Sequence, residues 1–265
     1  MRTKSTITDV AIVQQPWATP PAALLLLAAT ILGSPAAPAA FHSSDQNTPL
    51  IELYTSEGCS SCPPAESWLS RQKDSPGLWK EFVPVAFHVD YWDHLGWQDP
   101  WSANSFSARQ RAYAKANVTA TIYTPEFVLN GKEWRASSGR RDVPRSTMNV
   151  GVLTVSSVTS NRWHLVFVPT IPAARYEACG ALLSSDLSSE VKAGENRGRR
   201  LTHDFVVVSL TKTRLERNGV VFQGEFVVGL ERKRAKGKLA LAVWVTRGDQ
   251  LEPLQATGGW LPPIE

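Results

Sequence analysis

Two cysteines stand three residues apart in Gly58-Cys59-Ser60-Ser61-Cys62-Pro63. That spacing lets the two sulfurs form a disulfide and open it again, so the chemistry it offers is thiol–disulfide exchange. Cys62, Ala65, Trp68 and Leu69 share one face at helical spacing, which places a helix start just after Cys62. Pro63 and Pro64 suit the first turn, where a missing N–H costs no intrahelical bond. At such an N-terminus the unpaired N–H groups and the helix dipole favour a thiolate. The helical wheel turns Cys62 toward the core and leaves Cys59 outside the first turn, more open to solvent. Cys59 is therefore the candidate attacking thiolate and Cys62 the resolving thiol.

A second cluster runs through His88, Asp90, Tyr91, Trp92, Asp93, His94, Trp97, Asp99 and Trp101. It begins at the C-terminal end of a buried strand, the end where α/β sheets carry their sites. One reading makes His88 or Asp90 the proton acceptor for Cys62, with Trp92 and Trp97 walling the site. The other makes the stretch an aromatic insert packed over the sheet, with Asp90 capping a turn. Pro125 follows Thr124 at the start of an apolar run; it belongs at a strand beginning or edge, where no ladder N–H is needed. A metal reading also stands: Cys59 and Cys62 with His88 or His94 offer soft and borderline ligands for copper or zinc. No second CxxC accompanies them, which counts against a closed zinc site. The favoured reading needs no cofactor beyond a redox-active disulfide, with copper as the alternative. Cys179 lies in an apolar strand pattern and reads as a buried thiol.

The elements that must position these groups follow from local pattern. Leu50–Tyr54 reads as a strand, Ser56-Glu57-Gly58 as a turn, and Phe82–Phe87 as a strand buried on both faces. Good helix formers fill Ser105–Ala116, and Thr121–Leu129 reads as a further strand. Asn130-Gly131 then signals a hairpin returning through Lys132-Glu133-Trp134. Strand, helix, strand, helix, strand and hairpin make an α/β unit over residues 48–142. Beyond the polar link Gly139–Pro144, short strand patterns recur at Val152–Val158, Trp163–Val168, Ala178–Leu183, Phe205–Leu210, Val220–Gly229 and Leu239–Val245. These predict an all-β, sandwich-like domain over 148–262. The basic run Glu231–Lys238 reads as a solvated hairpin tip.

The 265 residues are enough for one large or two modest domains. With 43% hydrophobic and 20% charged residues and 10 Trp, the chain is neither disordered nor fibrous. A formal charge of +4, scattered along the sequence, argues against a nucleic-acid partner. Only 3 Cys exclude a disulfide-dense scaffold. Residues 1–39 combine Arg2 and Lys4, an apolar run from Ala22 to Leu32, and small residues at Ala37-Pro38-Ala39. That is the pattern of a secretory signal peptide, and the run is shorter than the roughly 20 residues of a membrane span. The expectation is export to a periplasmic or extracellular, oxidising compartment, with no stable membrane insertion after cleavage.

Residues 50–135 resemble a thioredoxin-like domain. More specifically, Ile51–Glu66, His88-Val89-Asp90-Tyr91-Trp92-Asp93, Tyr123-Thr124-Pro125 and Gly194–Arg199 resemble a bacterial secreted family, domain of unknown function 1223. The resemblance implies an α/β thioredoxin-like domain followed by an all-β domain, and a cis bond before Pro125 that would shape a partner groove. It implies no substrate. Ser60-Ser61 between the cysteines matches neither common reductants nor strong oxidants. Glu57, two residues before Cys59, opposes thiolate formation, and the serine hydroxyls favour it, so the redox direction stays open. The expected function is an exported thiol–disulfide oxidoreductase acting on thiol- or disulfide-bearing exported proteins, through Cys59, Cys62 and Pro125. The alternative is a non-catalytic copper-binding or assembly protein; the sequence does not speak to the oligomeric state.

Overall fold

The computed structural model describes residues 40–116, 121–135, 142–229 and 236–263. The expected signal peptide, most of the basic run 231–238 and half of the link 139–144 lie outside the described residues.

Along the chain come β1 (Ala40–His42), β2 (Leu50–Thr55), α1 (Pro63–Ser70), a 3-10 turn (Arg71–Asp74) and β3 (Val83–His88). A second 3-10 turn (Asp93–Leu95), α2 (Asn104–Lys115), β4 (Glu126–Leu129) and β5 (Lys132–Glu133) follow. Then β6 (Gly151–Ser157), β7 (Arg162–Pro169), β8 (Tyr176–Ser185), β9 (Leu187–Glu190) and β10 (Arg200–His203) lead into the last third. There β11 (Val206–Arg214), β12 (Glu216–Asn218), β13 (Val221–Val227), β14 (Lys238–Arg247) and β15 (Pro253–Trp260) close the order.

The predicted elements are present at close to their expected bounds, with β1, β9, β10, β12 and β15 added to them, but the assembly differs. A thioredoxin-like α/β domain followed by an all-β domain is overturned: the chain is mostly β. One eight-stranded sheet, in the order β15-β14-β8-β11-β3-β2-β4-β5, takes four strands from each half of the chain. The junction is a parallel pairing of β11 with β3 at Val206↔Ala86, sealed where the Ala86 N–H donates to the Phe205 carbonyl at 2.8 Å. Strand β3 thus has a neighbour on each side, β2 and β11, and all six of its residues are buried. The same apolar run fits an inner strand of a small sheet or of a large one, so composition alone could not reveal the seam.

Period-two alternation feeds two cores. In β14, Ala240, Ala242 and Trp244 pack with α1, α2, β2 and β3, while Leu241, Val243 and Val245 face the opposite way. That second face is covered by a five-stranded sheet, order β1-β6-β7-β13-β12, through Leu153, Val155, Leu165 and Phe167. Alternate residues point to opposite faces of a strand, so a strand buried on both sides must be apolar throughout. The Asn130-Gly131 hairpin forms as expected, with φ of +46° and +75°; a Cβ on Gly131 would meet the Glu252 backbone at 2.8 Å. Residues 121–125 precede β4 without joining a strand. Instead the Gln110 side-chain amide donates to the Tyr123 carbonyl at 2.8 Å, and the Thr124–Pro125 bond is cis. Among the described residues, no helix is long and apolar enough to cross a membrane.

Candidate functional site: a buried disulfide beside a histidine–carboxylate cluster

Strand β2 ends at Thr55, and a tight turn carries the chain into α1, with Cys62 at its N-cap and prolines in its first turn. Cys59 and Cys62 are joined in a disulfide with Cα atoms 5.5 Å apart. Both residues are fully buried, which corrects the expectation of a solvent-open Cys59. Ser60 and Ser61 between them are exposed, so the bond lies just beneath the surface. A turn from far along the chain clasps the cysteine loop. The Ser60 N–H and hydroxyl both donate to the Glu195 carboxylate, at 2.9 and 2.7 Å. The buried Asn196 amide donates to the carbonyls of Glu57 and Cys59, each at 2.9 Å. Gly194, at φ +73°, passes 3.8 Å from Gly58 measured from its would-be Cβ.

Trp92 also packs against this loop. A Cβ on Gly58 would meet the Trp92 Cβ at 2.8 Å, so the backbone there passes directly under the indole's base. The Trp92 Nε1–H donates to the Thr124 hydroxyl at 2.8 Å. Trp92 thereby ties the residue before Cys59 to the cis Thr124–Pro125 segment. Trp97 donates its Nε1–H to Glu57 at 2.6 Å.

Beneath the disulfide loop sits a buried polar cluster. His203, at the end of β10, sets Nε2 against Glu57 at 2.9 Å and Nδ1 against Glu66 at 2.5 Å. The other oxygen of Glu66 accepts the Thr55 hydroxyl at 2.5 Å. His88 turns Nδ1 to Asp99 at 2.7 Å, and Asp99 also accepts the backbone N–H groups of Glu57 and Trp101 at 2.9 Å each. The two imidazole rings meet edge to face, 5.0 Å between centroids. Burial alone would lower the His203 pKa, but the carboxylates of Glu66 and Glu57 outweigh it and push it up to about 10. Burial alone would raise Glu66, but the charge and hydrogen bond of His203 hold it below the usual carboxylate range. Asp99 is likewise held low against its burial, by His88 and the backbone donors. Glu57 therefore does not stand as a lone anion behind Cys59: His203 and Trp97 engage its carboxylate.

The remaining candidates are scattered. Asp90 is engaged at α2, bonding the Ser107 hydroxyl at 2.5 Å and the Asn104 amide at 3.3 Å. His94 is exposed, its Nδ1 on the Tyr91 carbonyl at 2.7 Å. The copper or zinc set Cys59, Cys62, His88 and His94 therefore has its thiols tied in a disulfide and His94 turned to backbone. Cys179 is free and buried, and burial raises its thiol pKa. Sequence reasoning missed Glu66 and His203. Glu66 could have been flagged one helical turn after Cys62; no spacing signals His203, which is 137 residues from its partner Glu66.

Residues 50–246 match the family described as "Protein of unknown function (DUF1223)". No curated protein matches the sequence. Among solved structures, one from Agrobacterium tumefaciens is 20% identical with a TM-score of 0.57, covering 84% of this chain and 99% of its own. HBP35 of Porphyromonas gingivalis is 11% identical with a TM-score of 0.53, over 83% of this chain and 76% of that one. At such identities the likeness is one of fold.

Proposed function

The chain belongs to the DUF1223 family, and from its own residues we propose that it is an exported thiol–disulfide oxidoreductase working through Cys59 and Cys62. The observation that supports this best is the disulfide itself, set at the N-terminal end of α1 under two exposed serines. In the oxidising direction, a partner thiolate attacks Cys59 Sγ, the Cys59–Cys62 bond breaks, and Cys62 leaves as a thiolate that takes up a proton. A second thiolate of the partner then attacks the partner's own sulfur in the mixed disulfide and releases Cys59. The partner dithiol has lost two electrons and two protons, and the cysteine pair has gained them. Run backwards, the same steps reduce a partner disulfide, and the reduction potential of the pair sets the direction. The helix N-terminus favours either leaving thiolate. In this reading the Glu195–Asn196 turn, which clasps the cysteine loop, yields to admit a partner sulfur to Cys59.

Cys62→Ala leaves Cys59 without its resolving thiol. Incubated with a peptide disulfide, this variant is expected to accumulate a Cys59 adduct that mass spectrometry reads as the added peptide mass. A native variant that stays unmodified, while the same chain in denaturant is modified quantitatively, would refute the exchange reading. Stoichiometric Cu(I) on the reduced chain, lost when either cysteine is replaced, would favour the copper-binding alternative.

A further inference from the structure

We propose that Glu66, His88 and His203 form a binding site for a divalent transition-metal ion of the zinc type, one helical turn along α1 from the disulfide. One donor atom from each lies within 4.8 Å of the other two, and all three residues are buried. Each histidine already has one nitrogen held by a carboxylate of its own: Asp99 holds His88 Nδ1, and Glu57 holds His203 Nε2. That is the outer-shell arrangement that fixes the ring and tautomer of a metal-ligating histidine. The other nitrogens are the ones that matter. His88 Nε2 has no hydrogen-bond partner although the residue is fully buried, an omission that protein interiors rarely tolerate. His203 Nδ1 faces Glu66, whose second oxygen Thr55 steadies.

A cation between these atoms gives His88 Nε2 its missing partner and takes the place of the proton that His203 and Glu66 share. Bonds of about 2.0–2.2 Å put tetrahedral ligand atoms roughly 3.4 Å apart, so the three groups need to adjust by an ångström or so. Two imidazoles and one carboxylate with an open fourth position suit zinc, and related ions such as iron(II) or manganese(II). The charge fits as well. Glu57, Glu66 and Asp99 are all buried, and among the described residues their ion-pair partners are the two histidines alone. The site uses no cysteine, so it stands apart from the exchange reading.

The test uses the full chain with its disulfide intact, stripped with chelator and dialysed against micromolar zinc or cobalt(II). The expected result is one metal per chain, with cobalt giving visible bands of a low-symmetry nitrogen–oxygen site and no thiolate charge-transfer band. His88→Gln and His203→Gln are expected to lose the bound ion, and Asp99→Asn to weaken affinity about 10- to 100-fold. A Cys59→Ser/Cys62→Ser double variant is expected to bind as the parent does. An oxidised parent chain that takes up neither metal overturns the proposal, whatever the variants do. So does binding that survives both histidine replacements, or a cobalt spectrum carrying sulfur bands.

Discussion

At the scale of single residues, buried charge is the most demanding feature of this chain. Glu52 lies in the middle of β2 with no exposure, and Arg109 of α2 grips it with two hydrogen bonds, at 2.7 and 2.9 Å. The Tyr113 hydroxyl adds a third at 2.6 Å, and the guanidinium sits 5.2–5.5 Å from the ring centres of Phe87, Tyr113 and Trp244. Removing one partner of such a pair strands the other in a medium that cannot solvate it. Arg109→Ala is therefore expected to destabilise the fold by about 3–5 kcal/mol in chemical denaturation. Arg109→Lys is expected to recover part of that loss, since an ammonium keeps the charge but not the two-pronged geometry. This pair was invisible in the sequence, where Glu52 reads as one polar residue in an apolar strand. Cys59, Cys62, His88 and Trp92 were visible because their types are rare and their spacing is local. His203 was not, and Asn196 was visible only as part of a family motif, because neither hydropathy nor spacing links residues some 137 positions apart.

Among the elements, the turn Gly194–Arg199 holds the loop that carries the disulfide. It joins β9 to β10, which among the described residues pair with each other as a two-stranded sheet, and is pinned internally by the Val191 carbonyl accepting the Gly198 N–H at 2.8 Å. Its grip on the cysteine loop rests on Glu195 and Asn196. Glu195 is a surface residue, so Glu195→Ala should leave the cooperative unfolding midpoint within about a degree or two while loosening Ser60. The expected outcome is several-fold faster reduction of Cys59–Cys62 by dithiothreitol under native conditions. An unchanged rate would assign the cover to other residues. The elements that were predicted match to within one to four residues, since period 3.6 and period 2 are written in local sequence, but β1, β9, β10, β12 and β15 had no counterpart in the pattern. Within the predicted elements the misplaced stretch is 121–125, where a β-rich composition is overruled by the Gln110 contact to the Tyr123 carbonyl.

For the whole molecule, the shared sheet carries the strongest prediction. A fragment of residues 48–142 would leave β3 with a bare edge where β11 pairs, and would expose the faces that Phe205, Val207 and Trp244 cover. It would also lose His203 from Glu57 and Glu66. Such a fragment is expected to show no cooperative unfolding transition by circular dichroism, whereas the chain from residue 40 onward unfolds in a single step. A well-folded fragment would mean that the seam is a docking of two self-sufficient units. Sequence patterns could not choose between these outcomes, because an inner strand looks the same whichever neighbours it has.

The clasp over the disulfide also has a history in time. Ser60 is held by a residue 135 positions downstream, so a ribosome finishes both cysteines long before the chain that shields them. In an exported chain the thiols would stay reduced until they reach an oxidising compartment, and the bond is most accessible there before the downstream turn docks. Closure of that turn then acts as a seal upon it.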